Sequence, residues 1–422
     1  MPNPARLQVY GLSGMGQGMI GPRGFRLLAS FACLGYALVA LGSGLDRAAL
    51  NSPSLIEAAP APFASTALEM RAGAAIDSGN WREALRDSEG FLASAPIDPT
   101  ASGMVAASRE ALGDDRGAET AFRVAAKMGW REPLTQTYWM KRALAQGDYR
   151  GAALRADAML RIDPGRVSDR DLLDPLERDP RGQQALAERM TGKPDWLYNY
   201  LVDYGGAPVD VLLLRAEVLA RAARLGVSAG CDGAAGLAHR LVELGEAQAA
   251  AQVWRGHCPL AASGLVADGN FAGATIADTE TPFDWQFSSD SDVDVSLDRV
   301  SGGKRVDITT SAAFTRIVAS QFLVVPAGSY RLSWESRGHT TRDTPMVVAS
   351  LDCDMHSGNW LPAALDPQSG RWFADVVLSD SCAGKWLNFA VRPGVEAGAG
   401  VRGGEVSLGA VRLSPLAGGG AR

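Results

Sequence analysis

Apolar positions change period partway along the chain. Up to about residue 260 they recur every three or four residues, the spacing of amphipathic helices. Beyond it they alternate, the spacing of half-buried strands. Three stretches of the helical half are near-copies: "GNWREALRDS" from Gly79, "GDDRGAETAF" from Gly113 and "GDYRGAALRA" from Gly147. The glycines stand 34 residues apart, twice, and Ala84, Ala118 and Ala152 keep the same interval. Glycine allows a tight turn between two helices; the small alanine five positions on lets the second helix pack closely against the first. Trp81 and Tyr149 fill an aromatic place two positions after the glycine, and Asp115 departs from it. Pro96 and Pro164 stop the second helix of the outer copies, whereas the middle copy has Trp130 at that place and breaks at Pro133.

A 34-residue helix–turn–helix period is that of the tetratricopeptide repeat, and residues 67–166 resemble such repeats, two units well and one in degenerate form. Repeats of this kind stack into an α-solenoid whose concave surface binds peptides or proteins, so the resemblance implies a protein partner. The register then fails. Residues 169–201 stay helical in pattern but are cut by Pro175, Pro180 and Pro194, and apolar spacing resumes over 209–225. "GEAQAAAQVW" repeats the turn once more, with Ala250 five after Gly245. Residues 167–260 read as an irregular helical continuation whose last units cap the stack.

In the second half "FDWQF" places Phe283, Trp285 and Phe287 on one face. "DVDVSLD" alternates, "YRLSW" turns Tyr330, Leu332 and Trp334 inward, and "KWLNFAV" groups Leu387, Phe389 and Val391. Short strands between Gly, Asp, Ser and Pro turns predict an antiparallel β-sandwich. The order "DGNFAG" (268–273), "FLVVPAGSYRLSW" and "GEVSLGAVRLSPL" resembles the jelly-roll carbohydrate-binding modules that accompany polysaccharide-active proteins, over residues 264–416. These strings mark the scaffold better than they mark sugar binding. A repeat solenoid and such a sandwich behind a membrane anchor are similar to proteobacterial envelope proteins near polysaccharide assembly. The expected fold is therefore multidomain α + β: an N-terminal transmembrane helix, an α-solenoid of tetratricopeptide-like hairpins and a C-terminal antiparallel jelly-roll sandwich.

Location follows from "LLASFACLGYALVALGSGL", residues 27–45, which carries no charge. As a helix it is roughly 28 Å long, near the thickness of a bilayer's hydrocarbon core. Arg6, Arg23 and Arg26 precede it with no acid, which puts residues 1–26 in the cytoplasm. A cleaved signal peptide is the alternative, although its apolar region is shorter and the best site here, Ala40-Leu41-Gly42, is poor. Either way the chain from Asp46 onward is expected in the periplasm, through a linker (46–66) to the folded parts, with a short tail at 417–422. In an oxidising periplasm Cys231, Cys258, Cys353 and Cys382 read as disulfides. Of their three possible connectivities the within-domain pairs Cys231–Cys258 and Cys353–Cys382 are expected. The net charge of −6 is mild and shows no basic stripe, so nucleic acid is not an expected partner.

Candidate chemistry is sparse. Sugar binding needs aromatic faces for apolar sugar surfaces and polar groups for hydroxyls. Trp285 and Trp334 fall on core faces. Trp360 in "HSGNW", Trp372 in "RWFADVVL" and Trp386, opposite Leu387 and Phe389, are the platform candidates, and Asp352, Asp354 and His356 around Cys353 are candidate polar contacts. Asp290, Asp292 and Asp294 alternate as calcium ligands can, but the Gly and Glu of an EF-hand are missing and an edge strand carrying charge is the plainer account. No zinc-protease, thiol-protease, nucleophile-elbow or P-loop motif is present. No cofactor is expected beyond a candidate structural calcium. The sequence thus predicts a non-catalytic, membrane-anchored periplasmic scaffold in envelope polysaccharide synthesis or export, holding protein on the solenoid and glycan on the sandwich. Two alternatives stand: a protein adaptor with a structural sandwich, and a glycan-active enzyme, which needs two carboxylates about 5–10 Å apart in a cleft.

Overall fold

The computed structural model describes residues 22–52, 54, 60, 63–258, 264–277, 281–338, 345–356, 358–393 and 404–416. Residues 1–21 of the expected cytoplasmic tail (1–26), the tail at 417–422, and the linker positions 53, 55–59, 61 and 62 lie outside them. Among the described residues thirteen α-helices precede ten β-strands. The chain divides into two units, Met1–Thr135 and Gln136–Arg422.

The first unit holds α1 (Pro22–Ala48), α2 (Ser65–Asp77), α3 (Trp81–Ser94), α4 (Pro99–Ala111) and α5 (Asp115–Met128). Within α1, Ala29–Ala48 is the one span among the described residues long and apolar enough to cross a membrane, with mean hydropathy 1.4. Phe31 and Tyr36 on it are exposed. Where the apolar run ends, Asp46 turns inward: its carboxylate accepts the N–H groups of Thr66 and Ala67 at 3.0 and 2.9 Å. These are first-turn donors of α2 that have no partner inside the helix. A charge that closes the apolar segment therefore caps the next helix, whose own N-cap position, Ala64, has no capping side chain.

The recurring glycines all do the same work. Gly79, Gly113, Gly147 and Gly245 each lie two residues past one helix and two before the next, with φ of 73, 84, 71 and 84°. In every case the following N–H reaches back to the carbonyl five residues earlier: Asn80 to Ala75, Asp114 to Arg109, Asp148 to Ala143 and Glu246 to Leu241, all at 2.8–2.9 Å. This is the Schellman closure, which needs a left-handed residue at the glycine. The same residue then starts the next helix. Asp114 and Asp148 accept the N–H groups of Gly117 and Gly151 at 2.9 Å, and a Cβ on either glycine would strike the capping carboxylate. Ala84, Ala118, Ala152 and Ala250 are buried, as a close helix–helix approach requires.

The division between the units falls within α6 (Pro133–Ala145). The second unit continues with α7 (Tyr149–Ile162), a 3-10 turn Pro164–Ser168, α8 (Arg170–Glu177), α9 (Pro180–Met190), α10 (Trp196–Val202), α11 (Val209–Arg224), α12 (Cys231–Glu243) and α13 (Ala247–His257). Pro180 starts a helix as expected, but Pro175 does not cut the chain; it lies inside α8. The irregular stretch is organised by buried charge instead of by a repeat. Glu177, fully buried, accepts the Tyr200 hydroxyl at 2.7 Å and the Arg170 guanidinium at 2.6 Å. Arg215, also buried, pairs with Asp203 at 2.9 Å, donates to the Val167 carbonyl at 2.9 Å and lies 5.2 Å over the Tyr200 ring. Cys231 and Cys258 are joined, tying α12 to the end of α13.

The strands are β1 (Gln286–Phe287), β2 (Val293–Val300), β3 (Gly303–Thr310), β4 (Arg316–Leu323), β5 (Gly328–Gly338), β6 (Val347–Asp352), β7 (Ala364–Asp366), β8 (Arg371–Leu378), β9 (Lys385–Val391) and β10 (Gly404–Pro415). They form a four-stranded sheet, β1-β4-β9-β6, and a six-stranded sheet, β2-β3-β10-β5-β8-β7, with every pairing antiparallel. Their inner faces share one core. Val318, Val347, Leu387 and Phe389 come from the smaller sheet; Val306, Leu332, Trp334 and Leu408 come from the larger. The Trp334 and Phe389 rings meet edge to face across it, 5.7 Å apart. Trp285 and Trp334 are buried, as the alternation predicts.

The helices of the second unit and the outer side of the smaller sheet also share a core. The cluster that runs through α7 to α13 takes in Phe283, Phe322, Val324 and half-buried Trp386. Gly147→Ala should cost about 1 kcal/mol, because a Cβ is strained in the left-handed region. Arg215→Ala should cost about 3–5 kcal/mol, because it strands a buried partner network. Urea unfolding of the purified variants reads both.

Candidate functional site

The register of β6 and β9 sets Asp352 opposite Trp386. The chain then turns, and the Cys353–Cys382 disulfide closes the turn onto the segment that leads into β9. Asp352 accepts the Cys353 N–H and the Asn359 amide, each at 2.7 Å. Asp354 accepts the His356 N–H at 3.0 Å. The loop folds back over the sheet: Asn388 donates to the Met355 carbonyl at 2.9 Å and the Leu361 N–H to Ala349 at 2.8 Å. Asp354 and His356 are well exposed, and Trp360 is half-buried. Asp352, Asp354, His356 and Trp360 thus belong to one disulfide-closed loop beside Trp386.

Two of the expected platforms need correction. Trp372 pairs in register with Trp334 and is only 3% exposed, inside the sandwich core. β8 is apolar on both faces, so alternation could not choose; the face turned outward carries Phe373, covered by the Arg331 guanidinium at 4.4 Å. Trp386 does point away from the sandwich core, but its ring meets Phe322 at 5.2 Å and joins the helical cluster. Trp372 is closed off, and Trp386 is half-buried with part of its ring taken up by Phe322. The calcium candidates do not converge either. Asp290 accepts its neighbour's N–H at 2.7 Å, Asp292 pairs with Arg316 at 3.1 Å and Asp294 is exposed on β2. Among the described residues no three His, Cys, Asp or Glu side chains gather as a metal-holding group.

The larger sheet carries a different feature on its outer face. β10 shifts register between Gly409 and Arg412, with Ala410 at φ 45°. A bulge of this kind leaves ladder groups unpaired. Arg371 takes the Ala410 carbonyl, and the Val411 N–H goes to the Gly269 carbonyl at 2.7 Å. Gly269 belongs to "DGNFAG", and a Cβ there would strike the Val411 carbonyl. The rest of that string is a latch. Asp268 accepts the Ala272 and Gly273 N–H groups at 2.8 and 2.9 Å, Asn270 holds the β2–β3 turn through Gly302 and Lys304, and Phe271 is fully buried in the core.

Between latch, turn and bulge lies a groove of about 440 Å³, lined by Lys304, Arg305, Glu335, Arg337, Ser407 and Arg412 among others. Arg305 is paired with Asp307 at 2.7 Å and Glu335 with Arg371 at 3.2 Å. Arg337 and Arg412 are exposed and have no ion-pair partner among the described residues. Burial, with Arg412 nearby, pulls Arg371 below the usual guanidinium value while Glu335 opposes the shift.

A smaller cavity of about 180 Å³ lies where α12 and α13 meet the sandwich, lined by Asp232, Asp268, Asp284, Trp254, Trp285 and Gln321 among others. Burial, then the charges of Asp268 and Asp232, push Asp284 up to about 6. Burial also raises Asp268, against the backbone N–H groups of its turn and the charge of Lys304. Sequence reading missed these groups. Arg337 and Arg412 fall outward by strand parity, but no local signal marks the bulge that opens the groove beside them. Asp232 and Asp284 meet only in the fold.

Asp284 holds its proton in the fold at pH values where the unfolded chain has lost it. Its contribution to stability is complete below about pH 4, the ordinary aspartate range, and is lost as pH rises to about 6. Asp284→Asn should therefore flatten that decline and melt higher than the unaltered protein at pH 7, as thermal melts across the range would show. In comparison with known proteins, no family model matches the chain and no curated protein matches its sequence.

Proposed function

We propose that the chain is a non-catalytic scaffold of the bacterial envelope. In this reading α1 holds it in the inner membrane with residues 1–26 cytoplasmic and the rest periplasmic. The helical hairpins are tetratricopeptide repeats that hold a protein partner. The two sheets are a jelly roll of the carbohydrate-binding kind that holds glycan during polysaccharide synthesis or export. The observation that carries the reading is one combination: an apolar helix, a folded body closed by two disulfides, and an open polar groove on the outer β-surface. Disulfides persist in oxidising compartments, and grooves of this size suit small ligands or polymer segments. The fourfold return of one glycine turn supports the repeat reading.

The adaptor reading has an observation of its own, since buried Trp372 and engaged Trp386 act as structure. For a glycan-active enzyme the cavity of Asp232, Asp268 and Asp284 gathers carboxylates, but Asp268 is already occupied by its own turn. The test is a glycan array probed with purified full-length protein, the shared core between helices and sandwich being reason not to cut at 264. Retention on at least one envelope polysaccharide, with no shortening of it, is the expected result. Absence of binding across the array, with a protein cross-linked to the helical part in cells, would put the adaptor in its place.

A further inference from the structure

Taking the sandwich as the glycan-holding half, we infer that its ligand is an acidic polysaccharide, bound through its carboxylates in the arginine-lined groove over β3, β10 and β5. The floor is β10 from Ser407 to Ala410. Lys304 and Arg305 stand on one wall, Glu335 and Arg337 on the other, and Arg412 at the end. This gathers four cationic side chains against one acid in a chain of net charge −6. Two of the four already have roles: Arg305 pairs with Asp307, and Lys304 donates to the Ala274 carbonyl at 2.5 Å. Arg337 and Arg412 have no such role, and each presents a planar fork that matches a carboxylate in two parallel hydrogen bonds.

The lining also argues against other ligands. Among the described residues its lining holds no aromatic side chain, and neutral sugars and unpaired bases rest on such stacking surfaces. Exposed Ser301, and exposed Asn270 through its amide oxygen (its nitrogen is held by Gly302), supply polar atoms suited to sugar hydroxyls. The site is also held in shape. The bulge that makes its end is fixed by Arg371 on the Ala410 carbonyl and Gly269 on the Val411 N–H, so the groove does not depend on Arg337 or Arg412 for its form. Replacing either one breaks no side-chain hydrogen bond or ion pair among the described residues.

The experiment measures binding of the full chain, purified in detergent, to polygalacturonate, to its methyl ester and to dextran. The esterified form keeps the backbone and removes the charge. Arg337→Ala and Arg412→Ala are compared with Arg299→Ala, an exposed arginine on β2 outside the groove, and melting temperatures check each fold. The expected result is binding to polygalacturonate that the ester loses, that weakens about tenfold with either groove variant and that Arg299→Ala leaves unchanged. Equal binding to the acid and the ester, or to dextran, would overturn the inference while leaving the glycan-holding reading in place. Retention that also extends to DNA, with all three arginine variants equally weakened, would mark general polyanion attraction and overturn it as well. No binding to any polymer by folded protein would remove both the inference and the reading it rests on.

Discussion

The indole of Trp254, in α13, lies nearly parallel to the ring of Phe283, with centroids 6.2 Å apart and planes 13° from each other. Phe283 meets Phe322 at 5.7 Å, and Phe322 meets Trp386. This row of rings carries the core of the helices into the outer side of the smaller sheet. A sandwich buries its inner faces by itself, but the outer side of the smaller sheet here has apolar rings that pack into the core of the helices. Arg255 adds a hydrogen bond to the Val324 carbonyl at 2.8 Å, and the Cys231–Cys258 disulfide fixes the helical end against which the rings pack. Within the second unit, helices and sandwich are therefore held together by burial, and the disulfide braces the helical side alone.

That constraint divides the two outer surfaces of the sandwich. The smaller sheet gives its outer face to packing. Even its polar side chains there are buried and joined to one another, Ser320 and Ser350 to Asn388 across the strands. The larger sheet keeps its outer face in solvent, and the guanidinium groups of Arg337 and Arg412 stand there. The surface that can meet a ligand and the surface that builds the body are on opposite sides of the same domain, so changes to one need not disturb the other.

Features encoded by a residue and its immediate neighbours were legible in the sequence. Gly113 and Gly147 need a left-handed backbone, and any reader of the chain sees them return at one interval. Leu332 and Trp334 face inward because their strand alternates cleanly. The cysteines pair within the parts they belong to. Features that depend on a distant partner were not legible. Trp386 looked open because Phe322 and the helices that cover it are far away in the chain. Trp372 was ambiguous because Phe373 beside it is apolar too, and only the Arg331 guanidinium explains how that ring is tolerated outside. The β10 bulge needs Gly269 and Arg371 from two other segments, so the groove it shapes had no local mark.

β10 follows every other described strand in the chain, yet it lies in the middle of the larger sheet, between β3 and β5. Until it is in place the sheet is two separate pieces, β2–β3 and β5–β8–β7, each with a bare edge of unpaired backbone groups. Such edges pair readily with other chains, and the contacts that close them span long loops and form slowly. The sandwich therefore has a keystone, and it is synthesised after every other described strand. For a growing chain the dangerous interval is the one between β8 and β10, when most of the apolar strands exist and nothing yet covers their edges.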